Sequence, residues 1–222
     1  MKKKTASLSC SVAAVAAVLL GASVARAEMA ISVYGGVQSA PDSDVIVSDQ
    51  ADFNAGWEGN SFAMPPYYGI RGTWWMEELG RPDLGVSLDF THAKVYADDA
   101  TLAASGWSHF QYSDGLNLLT LNALYRMPIE GTKFTPYIGA GAGINIPHVE
   151  VTRASGRTFN YQFGGATIQA QAGIAYDITD NWSTFVEYKG NYSWVDVDID
   201  SGASLRSNVM TNAINAGLTF HW

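Results

Sequence analysis

The sequence predicts an all-β fold: an eight-stranded antiparallel up-and-down transmembrane β-barrel. Three observations favour this fold. Eight segments alternate apolar and polar side chains with a period of two, and each has about the ten residues that a tilted membrane strand needs. The connections between the segments alternate between long and short. Aromatic residues gather at the short-turn ends of the strands, where a membrane surface would meet water.

The first 27 residues have the features of a secretory signal peptide. Three lysines at positions 2–4 precede an apolar run over residues 12–20, and Ala25-Arg26-Ala27 is a small-x-small cleavage pattern. We therefore expect cleavage near Ala27 and a barrel formed by residues 28–222. The single cysteine, Cys10, lies inside the predicted peptide, so no disulfide is expected in the barrel.

The predicted mature chain is strongly acidic. Removing the four basic residues of the peptide leaves 13 − 4 = 9 Lys and Arg against 21 Asp and Glu, a net charge of 9 − 21 = −12. This charge argues against nucleic acid as a partner. An exported chain of this kind belongs to the periplasm or the outer membrane of a Gram-negative bacterium, and the strand pattern favours the outer membrane.

The first four strands are predicted at residues 29–38, 67–75, 83–94 and 116–127. Within them apolar and polar neighbours alternate, as in Ile70-Arg71, Leu88-Asp89 and Leu121-Asn122. Polar segments over residues 54–66 and 95–115 are predicted to be long loops. Residues 76–82 form a short turn.

The last four strands are predicted at residues 134–147, 167–176, 182–192 and 212–222. Short links over residues 128–133 and 177–181 alternate with a medium loop at 149–160 and a long loop at 193–210. The closing strand must pair with both the first strand and the penultimate one. It ends on Trp222, and it resembles the closing strand of bacterial outer-membrane barrels, where Phe is the more usual last residue. We expect the barrel-assembly machinery to recognise this strand.

Six aromatic residues at the short-turn ends test the membrane prediction independently: Trp74, Tyr125, Phe134, Tyr176, Trp182 and Trp222. Aromatic rings prefer the membrane–water interface, so six at one level indicate a girdle. The alternative is a soluble barrel of the lipocalin kind. Such a barrel would turn its apolar parity inward and would need no such girdle.

The inward parity is predicted to carry a polar network that includes Arg71, Asp89, Asn122, Glu187 and Lys189. Eight strands leave an interior only wide enough for side chains. Charges shut away from water must be paired, so we expect the two cations to pair with Asp89 and Glu187 in a polar plug. A proton or ion path is the alternative interpretation.

Residue types that do chemistry gather at the long-loop end. His92, Asp114, His148 and Glu150 lie at the tops of three consecutive strands, so the sequence predicts that they share one catalytic cluster at the outer rim. Two imidazoles with one or two carboxylates would suit a divalent metal such as non-haem iron. They would equally suit a general acid/base pair.

Lys94, Glu58 and Trp57 are candidates for substrate binding at the same rim. His92 and Lys94 share the parity of Leu88, so we expect both to point towards lipid and its phosphates. The plainer interpretation is that such residues only bridge acidic lipopolysaccharide. A Ser-His-Asp arrangement of Ser105, Ser108 or Ser113 with His109 and Asp114 is a weaker alternative, because a serine-rich loop produces such proximity by chance.

Several stretches resemble a family of proteobacterial outer-membrane barrels, the lipid A oxidases. The stretches are GWEG (56–59), PPYYGIR (65–71), HAKVYADD (92–99), SDGLNLLTLNA (113–123), FTPYIGAGAG (134–143) and PHVEV (147–151). FTPYIGAGAG is generic to small barrels. The resemblance implies oxidation of the proximal glucosamine of lipid A to 2-aminogluconate, with molecular oxygen as co-substrate and lipopolysaccharide of the outer leaflet as partner.

Two other functions remain open. One is a structural or adhesive barrel without enzymatic activity, and the other is a lipid A acyl hydrolase, which would remove a fatty acid.

Overall fold

The computed structural model describes residues 28–222. The predicted signal peptide, with Cys10, lies outside the described residues. Eight long strands carry the fold: β1 (Met29–Ser39), β5 (Tyr68–Met76), β6 (Arg81–His92), β9 (Leu118–Arg126), β10 (Phe134–Asn145), β13 (Gly165–Asp177), β14 (Trp182–Asp198) and β15 (Ser204–His221).

These strands form a closed ring. Each is hydrogen-bonded antiparallel to the next in chain order, and the last strand also pairs with the first. Ile31 lies opposite Phe220 and Val33 opposite Leu218, so β15 closes the barrel. The predicted all-β, eight-stranded up-and-down barrel is confirmed. No helix within residues 28–222 is both long and apolar enough to cross a membrane.

Burial follows the predicted alternation. Apolar side chains of one parity are exposed on the outside of the ring, among them Ile70, Leu88, Leu121, Ile138, Val186 and Ile214. Side chains of the other parity are buried inside it. Of the predicted girdle, Tyr125, Phe134, Tyr176, Trp182 and Trp222 are exposed, and Trp74 is half-buried. The apolar outside of the ring is the surface that a lipid bilayer would cover.

The polar network crosses the middle of the lumen. The Arg71 guanidinium donates to Asp89 at 3.0 Å and to Glu187 at 2.8 Å, and Lys189 Nζ donates to Asp89 at 2.6 Å. The Gln169 amide links Asn122 to Asp89, at 3.2 Å from each. The structure therefore brings all five predicted lumen residues into one buried network.

The long loops differ from the prediction, because most of their residues are in regular structure. They contain strands β2 (Ser43–Val47), β3 (Phe53–Ala55), β4 (Trp57–Glu58), β7 (Val95–Ala97), β8 (His109–Tyr112), β11 (His148–Arg153) and β12 (Gly156–Tyr161), and helix α1 (Asp99–Ser105). The predicted loop at 193–210 is instead the outer half of the β14–β15 hairpin, paired out to Asp198 and Ser204.

These segments form an outer cap with its own apolar core. Its buried side chains come from the loop strands, from the segment before β8 and from the outer halves of β14 and β15; they are Val45, Val47, Trp57, Val95, Trp107, Phe110, Tyr112, Val149, Val151, Val195, Val197 and Leu205. Apolar burial explains why the loops are ordered. The β14–β15 hairpin continues outward because Val195, Val197 and Leu205 keep the alternation that a strand needs.

Candidate functional site

Five cap strands form one sheet, in the order β12-β11-β8-β7-β4, which we call the cap sheet. One face of this sheet carries Val149, Val151, Phe110 and Tyr112 and packs into the apolar core. One register row on the opposite face runs across all five strands: Glu58, Tyr96, Gln111, Glu150 and Phe159. This outward face is polar and aromatic, and it continues the outer wall of the barrel upward.

Three of the four predicted catalytic residues meet on this face. His148 Nδ1 lies 3.2 Å from Glu150 Oε1 and 3.6 Å from Asp114 Oδ2. One nitrogen or oxygen from each of the three lies within 4.8 Å of the others. We call Asp114, His148 and Glu150 the His148 cluster. The imidazole is buried, whereas the Asp114 side chain is 42% exposed, so the cluster opens to the outside.

Glu150 is the most heavily hydrogen-bonded member of the cluster. Ser113 Oγ and Gln111 Nε2 donate to its two oxygens, the latter at 3.1 Å, and His109 Nε2 lies 3.3 Å from Oε2. Burial by itself would raise the pKa of Glu150. The hydrogen bonds from Ser113 and Gln111, together with the His148 charge and the His109 contact, more than offset burial and hold the pKa below its usual value. Glu150 is therefore fixed in position and ionised.

Two aromatic rings frame the cluster. The Tyr161 ring lies 4.5 Å from the His148 ring, and the Phe159 ring lies 4.6 Å from it. Both aromatic side chains are more than half exposed. Partial burial raises the pKa of the Tyr161 hydroxyl, and the nearby charges of Asp114 and Glu150 raise it further. The site therefore combines ionisable groups with an exposed aromatic border.

His92 lies beside the cluster and outside it. Its ring stacks on Tyr68 at 5.1 Å, and Nδ1 contacts Asn117 Oδ1 at 2.9 Å. Asn117 also donates to the Asp114 carbonyl at 2.9 Å, so His92 supports the turn that carries Asp114. The prediction that all four residues share one cluster is therefore wrong for His92, because its Nδ1 contacts Asn117 while the converging donor atoms are those of Asp114, His148 and Glu150.

Two of the three predicted substrate-binding residues are covered. Lys94 is fully buried, because its ammonium donates to the carbonyls of Ala63 at 2.7 Å and Pro65 at 2.8 Å. The expectation that Lys94 reaches lipid phosphates is wrong for that reason. Trp57 packs in the cap core against Phe110, so its ring is not available to a substrate either. Glu58 is exposed on the outward face of the cap sheet.

The serine alternative is not formed. Ser105 donates to the Leu102 carbonyl and Ser108 to the Thr152 carbonyl, while Ser113 donates to Glu150. In the described part of the chain none of these three hydroxyls is hydrogen-bonded to a histidine.

Sequence reasoning overlooked His109, Gln111 and Ser113 as partners of Glu150. The signal was present, because these three residues alternate with Phe110 and Tyr112. That pattern predicts a strand with one polar and one buried face. Tyr161 and Phe159 carried no comparable signal, since their place beside His148 depends on the pairing of β11 with β12.

Comparisons with known proteins agree with this architecture. The model of the outer membrane protein beta-barrel domain matches residues 10–221. No curated protein matches the chain.

Two solved structures show the extent of the likeness. Outer membrane protein AlkL, determined in DMPC lipid bilayers, shares 13% identity over 100% of this chain and 97% of its own, with a TM-score of 0.52. Neisserial surface protein A shares 16% identity over 87% of this chain and 95% of its own, with a TM-score of 0.48. At 13% identity the likeness to AlkL shows the fold alone.

Proposed function

We propose that this chain, which belongs to the outer membrane protein beta-barrel domain family and lies in the bacterial outer membrane, is an oxidase of lipid A in the outer leaflet. The observation that carries this proposal is the position of the His148 cluster. It lies on the outward face of the cap sheet, directly above the lipid-facing wall. A substrate held in the membrane can approach that face sideways, without entering the barrel.

The height of the cluster supports a lipid headgroup as the substrate. β10 ends at Asn145, and His148 follows three residues later. Tyr68, which stacks on His92, has the same outward parity as lipid-facing Ile70. Aromatic side chains of this kind are favoured where hydrocarbon gives way to headgroups. Sugars and phosphates attached to acyl chains would therefore lie level with the cluster.

The chemistry balances with oxygen as the oxidant and water as the second reactant, on a lipid A whose anomeric hydroxyl is free. Oxidation removes the hydrogen on the anomeric carbon and the proton of its hydroxyl, and the two electrons reduce oxygen to hydrogen peroxide. Water then opens the resulting lactone to 2-aminogluconate. The His148 cluster, with one imidazole and two carboxylates, is the candidate to accept the hydroxyl proton.

The sequence segments that resemble lipid A oxidases add independent support. HAKVYADD contains His92, SDGLN contains Asp114, and PHVEV contains His148 and Glu150. The more specific sequence segments therefore lie around the site, whereas the generic segment FTPYIGAGAG lies in β10. We also propose that the barrel-assembly machinery engages β15, the closing strand.

Mass spectrometry of lipid A from cells with and without the protein tests the proposal. We expect the wild-type protein to add one oxygen atom to lipid A and His148→Ala to abolish that product. His92→Ala should reduce it, because His92 supports the turn that carries Asp114. His221→Ala is the matched control, because His221 pairs with Glu28 at the opposite end of the barrel, 2.9 Å away. Normal folding is checked by circular dichroism.

Each other result contradicts the proposal. An unchanged lipid A profile indicates a structural or adhesive barrel, and loss of a fatty acid indicates an acyl hydrolase. Full activity in both His148→Ala and His92→Ala would place the reaction elsewhere on the protein.

A further inference from the structure

We propose that the His148 cluster binds one divalent first-row metal ion, with His148 Nδ1 and the carboxylates of Asp114 and Glu150 as ligands. Ion binding goes beyond the proposed oxidation, since it is a property that can be measured without any lipid. It also decides between the two chemistries that the sequence left open, a metal centre and a general acid/base pair.

The first argument is convergence. His148 Nδ1 faces both carboxylates, at 3.2 Å from Glu150 and 3.6 Å from Asp114, and one donor atom from each residue lies within 4.8 Å of the other two. Ligand distances of about 2.0–2.2 Å to a central ion need only small side-chain adjustments from this arrangement. The three ligands come from two neighbouring segments, the turn after β8 and the start of β11.

The second argument is charge. Two carboxylates face a single imidazole, so even a protonated His148 leaves the cluster with an excess negative charge. Glu150 has only 9% of its side chain exposed, which makes uncompensated charge costly there. A divalent cation in place of the imidazole proton would neutralise both carboxylates.

The third argument is the second layer of contacts. Metal-binding carboxylates are usually held by further hydrogen bonds that fix their orientation. Glu150 has this support from Ser113, Gln111 and His109. His148 Nδ1 also faces Asp114, whose side chain is 42% exposed. An ion and a further ligand can therefore reach the cluster from outside.

The donor set selects the class of ion. One imidazole nitrogen and two carboxylate oxygens suit iron(II), manganese(II), cobalt(II) or zinc(II). Calcium is a poorer match because it prefers six to eight oxygen ligands.

The test is isothermal titration calorimetry with manganese(II) and zinc(II) on the full barrel, purified in detergent and freed of metal with a chelator. We expect one saturable site in the wild-type protein and an affinity loss of more than about ten-fold in His148→Ala and Glu150→Gln. The matched controls are His221→Ala and Glu28→Gln, which alter a His–Glu pair at the opposite end of the barrel. They should bind as the wild type does.

Ser113→Ala provides a second variant in case the ligand variants fail to fold. It keeps all three ligands and loosens Glu150 only, so we expect an affinity loss of about 10–100-fold with an unchanged melting temperature in the metal-free form. Thermal melting should also rise with added metal in the wild type and not in His148→Ala.

Two results would overturn the metal site. One is the lack of saturable binding by the wild type. The other is equal binding by wild type, His148→Ala and Glu150→Gln. After either result, the lipid A assay would still test the oxidation, which would then have to proceed by acid/base chemistry. Conversely, if the protein binds metal but forms no oxidised lipid A, the proposed oxidation is contradicted and the metal site still stands.

Discussion

Arg71 is the residue on which the lumen network depends most. It bridges Asp89 and Glu187, and it also donates to Gln171 at 3.1 Å. Two cations and two anions balance inside the barrel, with side chains that are 4% exposed or less. Removing one partner from such a group leaves an uncompensated buried charge, which costs more than the pairing itself contributes.

We predict that Arg71→Met lowers the free energy of unfolding by about 3–5 kcal/mol, because Lys189 alone cannot balance two carboxylates. Urea unfolding in lipid vesicles measures the change. Adding Glu187→Gln to the variant should restore part of the loss. Arg206→Met, at an exposed position of β15, is the control. Equal effects of Arg71→Met and Arg206→Met would show that the network contributes nothing.

Glu150 and Lys94 illustrate how one residue's role depends on its neighbours. Glu150 lies on the outward face of the cap sheet, and Lys94 precedes strand β7 with the same parity as Tyr96 of that face. Glu150 is held by side-chain donors and stays at the site, whereas Lys94 is turned onto two backbone carbonyls and anchors the loop that contains Ala63 and Pro65.

At the scale of the strands, pairing between β9 and β10 requires glycine. A Cβ atom on Gly143 would lie 1.9 Å from the Leu119 carbonyl oxygen and 2.7 Å from Thr120 Cα, both of them backbone atoms. Gly72 in β5 has no atom within 4 Å of its Cβ position. The two glycines therefore differ in how closely a neighbouring backbone approaches them.

We predict that Gly143→Ala separates the strands and lowers stability by about 1–3 kcal/mol, while Gly72→Ala changes it by less than about 0.5 kcal/mol. The urea midpoint and the fraction that refolds in detergent measure both effects. Similar values for the two variants would argue against close backbone approach at Gly143.

The tip of the β14–β15 hairpin is held to the cap by one ion-pair group. Arg153 in β11 donates to Asp200 at 2.8 Å and to Asp49 at 2.6 Å. Burial raises the pKa of Asp200, and the hydrogen bonds from Arg153 and Ser155 lower it further than burial raises it, so it lies below its ordinary value of 3.8. A carboxyl group with a lowered pKa stabilises the fold above that ordinary value, and the contribution is lost as pH falls through the folded-state pKa.

We therefore predict that hydrogen-exchange protection of the hairpin tip falls as the pH drops below about 3.8 in the wild type. Arg153→Met should abolish this acid dependence, because the pKa of Asp200 then returns towards its ordinary value. Arg157→Met in the neighbouring strand is the control and should keep it. Acid-insensitive protection in the wild type would show that another contact holds the tip.

At the scale of the whole molecule, the barrel is closed across its lumen. A cavity of about 630 Å³ opens at the short-turn end and reaches Arg71, among other lining residues. Above it lie the charged network and then the apolar core of the cap. Eight strands enclose too little space for a pore around these side chains.

We predict that the protein conducts no ions in planar lipid bilayers, because the charged network blocks the middle of the lumen and the cap core blocks its outer end. Single-channel recording provides the measurement, with a large porin as the positive control. Stable conductance steps would support the ion-path interpretation of the lumen.

The sequence by itself determined the barrel, its strand number and the side of each strand that faces inward. Period-two alternation encodes these features locally, because lipid outside and a polar lumen inside impose opposite demands on successive residues. Ile70-Arg71 and Leu88-Asp89 already indicate both faces. The same alternation gave the five lumen residues.

Only the tertiary structure decided the cap and the membership of the site. Glu150 lies two residues after His148 on the same strand, so their contact is local. Asp114 joins them because β11 pairs with β8, and no local pattern specifies a pairing between residues about forty positions apart. The same long-range contacts bury Trp57 and Lys94, which look exposed in a polar stretch. Local alternation fixes which way a side chain points, whereas pairing between distant strands fixes what it meets there.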